Sequence, residues 1–115
     1  MNRNDSLKRK KDFRYTYRVG KSVQHRYFSC IIAKNRLNKT RIGITVSKKQ
    51  GNSVQRNRIK RRIREAVTLC IPEMKKGINV ILVGRHSVLE APFQDICVSV
   101  RETLERANAF SETTE

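Results

Sequence analysis

The stretch Gly51–Ile71, GNSVQRNRIKRRIREAVTLCI, limits what this chain can fold into more than any other. Asn52 has a side-chain oxygen able to accept an unpaired N–H of a first helical turn. Gln55, three residues on, can answer it, so the segment opens with the signature of a capping box. Winding it at about 3.6 residues per turn places Ile59, Ile63, Ala66, Val67 and Cys70 on one stripe. Asn57, Arg61, Arg64 and Thr68 fall opposite, with Lys60 on one flank and Arg58 and Arg62 on the other. Arg56, Arg58, Lys60, Arg61, Arg62 and Arg64 all precede the first acid, Glu65. Like charges three and four residues apart destabilise an isolated helix. The apolar stripe therefore needs a core, and the opposite face needs a polyanion. We read it as an RNA-binding helix.

The rest of the chain sharpens that demand. Net charge is +16, and sixteen of the 26 Lys and Arg but none of the 10 acids lie between Phe13 and Arg64. The remaining residues are neutral, with ten charges of each sign. A charge excess confined to one half of a chain points to a polyanionic partner. A membrane fits poorly. No apolar run approaches the roughly 20 residues of a span, and the basic helix offers aliphatics, not Trp, on its apolar side. Cys30, Cys70 and Cys97 lack metal-ligand spacing, His25 and His86 stand alone, and no signal peptide precedes them, which fits a reducing cytoplasm. At 115 residues, one domain spanning 1–115 with its core over 7–110 is expected.

Taken in order, residues 1–9 are polar and expected to fray. KKDFRYTYRVG reads as a short helix ending at Gly20 in a left-handed conformation. Phe13 and Tyr17 share one of its faces, and Arg14 and Arg18 the adjacent one. Those rings either dock the helix on the core or stack nucleobases, and periodicity favours docking. Tyr27–Lys34 is a strand, 35–40 a polar turn, and the pair predicts a hairpin into Arg41–Ser47. There Ile42, Ile44 and Val46 alternate with Gly43, Thr45 and Ser47, whose small face suits a ligand or a second layer. The basic helix should run to about Ile71, before Pro72. Ile78–Gly84 is a nearly continuous apolar run, the pattern of a strand covered on both faces, which suggests a parallel βαβ crossover around the basic helix. A last helix begins at Pro92, with Phe93, Ile96, Val100, Leu104 and Ala107 as its stripe, and residues 111–115 should be disordered. The fold class is α+β, with helices and about four strands in the order α-β-β(-β)-α-β-α.

Catalysis by side chains would need an acid–base pair or metal-binding carboxylates. The basic half holds neither, and its sole titratable candidate is His25. Gly43 and Gly51 do not compose a phosphate-cradling loop. The sequence describes a binder.

RIGITVSKK at 41–49 followed by GNSVQRNRIKRRIREA closely resembles the protein subunit of bacterial ribonuclease P, with its Arg-Asn-Arg motif at Arg56, Asn57 and Arg58. The DF…Y…G pattern of Asp12, Phe13, Tyr17 and Gly20 and the strand VILVGR match as well, so the resemblance spans residues 7–108. Ser53 departs from the usual Ala. The resemblance implies a compact two-layer α/β sandwich with a left-handed βαβ crossover, against the right-handed rule. It implies a monomeric protein in a 1:1 complex with the ribonuclease P RNA subunit, which holds the Mg²⁺ ions and removes the 5′ leader of precursor tRNA in the cytoplasm. No residue of this chain is then catalytic. The RNA subunit would meet Arg56, Asn57, Arg58, Lys60, Arg61, Arg62 and Arg64, with Lys48 and Lys49 beside them. The leader would lie in a cleft between the first helix and the sheet, on Phe13 and Tyr17 with Arg14, Arg18, Tyr27 and Phe28, and Phe110 as a late aromatic nearby. That reverses the preference for plain docking. The alternative is a basic ribosomal-type RNA-binding protein with no role in cleavage.

Overall fold

The computed structural model describes residues 5–111. Its elements are α1 (Lys10–Val19), β1 (Lys21–Gln24), β2 (Phe28–Lys34), β3 (Thr40–Thr45), α2 (Ser53–Thr68), β4 (Ile78–Gly84) and α3 (Phe93–Arg106). The strands form one sheet in the order β1-β2-β4-β3. β4 pairs antiparallel with β2, from Phe28↔Gly84 to Lys34↔Ile78, and parallel with β3, from Thr40↔Ile78 to Thr45↔Val83. The βαβ unit around the basic helix is therefore present. The expected β2–β3 hairpin is not, because β4 lies between those strands. The antiparallel neighbour joined to β2 by a short turn is β1, from Lys21↔Ile32 to Gln24↔Ser29. Polarity explains the arrangement: β4 is apolar on both faces and takes the centre, whereas β3, carrying Arg41, Gly43 and Thr45 on one side, tolerates an edge.

Alternation along the strands builds two cores. Phe28, Cys30, Ile32, Ile42, Val80 and Leu82 pack with Ile59, Ile63 and Val67 of α2 and with Ile96, Val100 and Leu104 of α3. Burial there pushes the Cys30 thiol up to about 12. On the outer face Ile31 and Ile81 pack with Leu7, Phe13 and Val83 beneath α1. The stripe predicted for α2 is buried as spaced. In α3, Ser99 and Thr103 join the buried side, while Phe93 stays 37% exposed because it is the first helical residue and projects past the core's end. Pro72 lies in a 3-10 turn over Ile71–Glu73, and α2 stops earlier, at Thr68.

Close approaches and one polar chain seat α1. A Cβ on Gly43 would come 2.5 Å from Phe13 Cζ, so the ring rests on bare backbone. Thr16 is fully buried; its hydroxyl donates to the Asp12 carbonyl at 2.7 Å and accepts from Asn79 Nδ2 at 3.1 Å. Asn79 Oδ1 accepts from Asn35 Nδ2 at 2.8 Å. Gly20 ends α1 at φ −76° and ψ 158°, which is extended backbone and not the left-handed cap that the sequence suggests. Its glycine is required by space: a Cβ would sit 2.4 Å from the Thr16 carbonyl oxygen and 2.7 Å from Ile31 Cγ2. Nor do residues 5–9 fray. Leu7 is 5% exposed and its N–H reaches the Ile42 carbonyl at 2.9 Å. At the other end Ser111 N–H donates to the Glu73 carbonyl at 2.9 Å, and the rest of the expected disorder falls on residues 112–115, outside the described residues.

Gly20→Ala should therefore lower stability by about 1–3 kcal/mol through overpacking, read as a lower urea midpoint with an unchanged slope.

Candidate nucleic-acid interface

The start of α2 is over-determined. Asn52 Oδ1 accepts the Gln55 N–H and Gln55 Oε1 accepts the Asn52 N–H, both at 2.9 Å. Gly51 sits at φ 145°, a region that favours glycine, and this lets Gln55 reach back. Just before it, Lys48–Gln50 forms a 3-10 turn. The His86 N–H donates to Gln50 Oε1 at 2.8 Å, and His86 Nδ1 lies 2.7 Å from the Gln50 carbonyl oxygen. Lys48 and Lys49, both exposed, are thus held beside the first turn of α2.

Along α2, Asn57, Arg58, Arg61 and Arg64 are exposed, and Arg56 and Lys60 are half-buried. Among the described residues no carboxylate lies within ion-pairing distance of these cations. The repulsion read from the sequence is therefore real on the folded surface. Arg62 differs. It lies on one flank of the apolar stripe, and its guanidinium donates to the Ala91 carbonyl at 2.5 Å. Arg62, expected among the RNA-facing cations, thus also links α2 to the segment before α3.

The second expected surface lies on the outer face of the sheet beside α1. Phe13 is half-buried over Gly43, and Tyr17, one turn on, is 48% exposed. Partial burial raises the Tyr17 hydroxyl above its ordinary pKa, so the ring is neutral at physiological pH. Arg14 and Arg18 are exposed on the same helix. Sheet register places Ser29, opposite Val83, on this face. Arg85 continues the same side of β4 and was missed from the sequence. Its guanidinium donates to Ser29 Oγ at 2.9 Å, Gln24 Oε1 at 2.8 Å and the His25 carbonyl at 2.5 Å. Extending the two-residue alternation of Ile81 and Val83 by one step would have found it.

Three aromatics fall elsewhere. Phe28 is fully buried in the core under α2 and α3, since register points it away from α1, so it offers no surface to a base. Tyr27 packs against that same core, with the Arg26 guanidinium 5.3 Å from its ring centre. Phe110 pairs with Met74 and lies under Arg101, on the α3 side. His25 is stacked on Phe28 with ring centres 5.3 Å apart, and desolvation holds its pKa below the ordinary value. Among the described residues no group of three or more His, Cys, Asp or Glu converges as a metal site would require, and no helix is long and apolar enough to cross a membrane.

This arrangement defines a class: a small α+β protein with a cationic helix packed on one face of its sheet and an aromatic-bearing helix on the other. The family model described as Ribonuclease P matches residues 1–108. The ribonuclease P protein component of Clostridioides difficile is 40% identical over 93% of this chain and 95% of its own length. That of Alkaliphilus metalliredigens is 36% identical over 84% and 86%. Among solved structures, the Staphylococcus aureus RNase P protein superposes with a TM-score of 0.83 at 32% identity, covering 93% of this chain and 98% of that one. The chain belongs to the ribonuclease P protein family.

Arg62→Ala should cost about 1–3 kcal/mol, because it strands the Ala91 carbonyl, while Arg58→Ala and Arg64→Ala should stay within about 0.5 kcal/mol of the parent. Urea unfolding of the three variants separates strut from surface.

Proposed function

We propose that this protein binds the catalytic RNA of ribonuclease P through α2 and guides the 5′ leader of precursor tRNA along the face beside Phe13 and Tyr17. The observation that carries this reading is the exposed row Arg58, Arg61 and Arg64, none of them within ion-pairing distance of a carboxylate among the described residues. Cations on such a row neutralise phosphates and release counterions. Planar guanidinium forks bridge two phosphate oxygens where an ammonium cannot. A half-exposed ring stacks a leader base with little regard to its identity.

Bond cleavage, on this reading, belongs to the RNA subunit. Mg²⁺ demands oxygen ligands, usually with carboxylates among them, and the solvent face of α2 over Asn57–Arg64 offers cations instead, so the ions fit RNA phosphates better than this chain. The protein holds substrate and catalyst together in a 1:1 particle of the bacterial cytoplasm, raising substrate affinity, broadening substrate range and lowering the Mg²⁺ requirement.

Reconstitution tests it. Adding the protein to a bacterial ribonuclease P RNA at low Mg²⁺ should restore 5′ maturation of precursor tRNA, and no stimulation would sink the proposal. One structural neighbour is a Staphylococcus aureus RNase P protein variant described as defective in mRNA degradation, so a control without the RNA subunit belongs in the experiment. Precursor cleavage by the protein alone would reassign the chemistry, with His25 the first candidate.

Two variants resolve the surfaces. The Arg58→Ala, Arg61→Ala, Arg64→Ala triple variant should flatten the dependence of log affinity on log salt for the RNA subunit by about 2 or more. Tyr17→Ala should weaken binding of precursor tRNA by about 1–3 kcal/mol and leave mature tRNA unchanged. Phe13 is the poorer probe, because its ring also seats α1 on Gly43.

A further inference from the structure

α1 crosses the outer face of the sheet, with Phe13 and Tyr17 on one flank. Its other flank closes a hollow of about 510 Å³ at the end of the sheet where β2 leaves and β3 begins. That volume lies within the roughly 300–1,000 Å³ of ordinary ligand sites. Arg9 and Lys11 line it from the start of α1, Arg36 from the loop after β2 and Arg41 from β3, against one carboxylate, Asp12. Arg9 occupies the N-cap position of α1 without a side-chain cap, so the positive end of the helix dipole adds to these charges.

The walls are fixed before any ligand arrives. Asn35 Nδ2 donates to the Lys39 carbonyl at 3.1 Å and to Asn79 Oδ1 at 2.8 Å, and Asn35 Oδ1 accepts the Leu37 N–H at 2.9 Å. Because Asn79 also donates to Thr16, loop, strand and helix are pinned to one another. At the rim the Tyr15 ring is 40% exposed, and its hydroxyl donates to the Lys34 carbonyl at 3.2 Å. Arg41 Nε is shut off from solvent and has no acceptor among the described residues. A buried donor without a partner is disfavoured, and an anion held against the part of Arg41 that lines the hollow would offset that cost electrostatically without touching Nε.

We infer that this hollow is a second RNA-contact site, taking a phosphate of a single-stranded nucleotide between Arg36 and Arg41 with the Tyr15 ring as a stacking face for the attached base. The inference rests on the RNA-binding reading above and gives it a location on the opposite flank of α1. Phosphate held by paired guanidinium groups accounts for affinity, and an aromatic rim accounts for a preference for unpaired strands, whose bases are free to stack.

The test is a titration of the ¹⁵N-labelled full-length protein with a four-nucleotide oligoadenylate and, separately, with inorganic phosphate. Oligoadenylate should shift the amides of Lys11, Tyr15, Asn35, Arg36 and Arg41 saturably and bind there more tightly than phosphate. Arg36→Ala, at an exposed loop position, should weaken the effect about tenfold, and Tyr15→Ala should weaken oligoadenylate but not phosphate. The cleft variant Tyr17→Ala should leave these shifts in place. Equal affinity for phosphate, indifference to Arg36→Ala, or shifts confined to the Phe13 and Tyr17 flank would overturn the inference. Any of those results alongside successful low-Mg²⁺ reconstitution would leave the function proposed above standing. Failed reconstitution would remove that function, whatever the titration showed.

Discussion

The central strand constrains everything else. β4 carries apolar side chains on both faces, Val80 and Leu82 toward α2 and α3, Ile81 and Val83 toward α1. Such a strand is stable only with paired edges and covered faces. Its edges take β2 and β3, which forces β3 and β4 parallel and α2 into the crossover between them. Its outer face takes α1, a helix that crosses only part of the sheet. Part of the uncovered remainder becomes a hollow on the Lys11 and Tyr15 side of α1, while Phe13 and Tyr17 border the other side. The same burial that stabilises β4 thus shapes the concave surface beside α1.

Charge is arranged so that the basic surface goes unanswered within the molecule. Glu73 pairs with Arg101 of α3 at 2.6 Å, and that hydrogen bond holds the Glu73 carboxyl below its ordinary pKa. The pair lies on the α3 side, is largely exposed and contributes little stability. Glu90, Asp95, Glu102 and Glu105 also belong to the segment around α3. Glu65 is the one carboxylate on α2 and forms no ion pair with its cations among the described residues, so most of their attraction is left for an external anion; the fold tolerates their mutual repulsion because Ile59, Ile63, Ala66 and Val67 bury α2 on the core. Arg62 marks the boundary between the two jobs.

Much of this was legible in the residues. The capping box of Asn52 and Gln55, the α2 stripe, the two-faced β4 and the βαβ unit depend on neighbours within a few positions, where period and cap chemistry decide. The errors concern partners distant in sequence. Tyr27–Lys34 and Arg41–Ser47 look like a hairpin because nothing local announces that β4 will come between them. Phe28 and Ile31 are similar in apolar character, and only register assigns one to the core under α2 and the other to the core under α1. Gly20 resembles a left-handed cap, yet its role is the close approach of α1 to β2.

By itself the sequence determined the elements, the basic face of α2, the concentration of charge in one half and the family, because these follow from periodicity, capping and an ordered motif. The tertiary structure decided which cations are exposed and which are hydrogen-bonded within the fold, which aromatics face solvent, and that α1 leaves a hollow beside it on the outer face of the sheet. The reason is geometric. Accessibility and convergence are properties of strand order and helix placement, and these are settled by what β4 must bury.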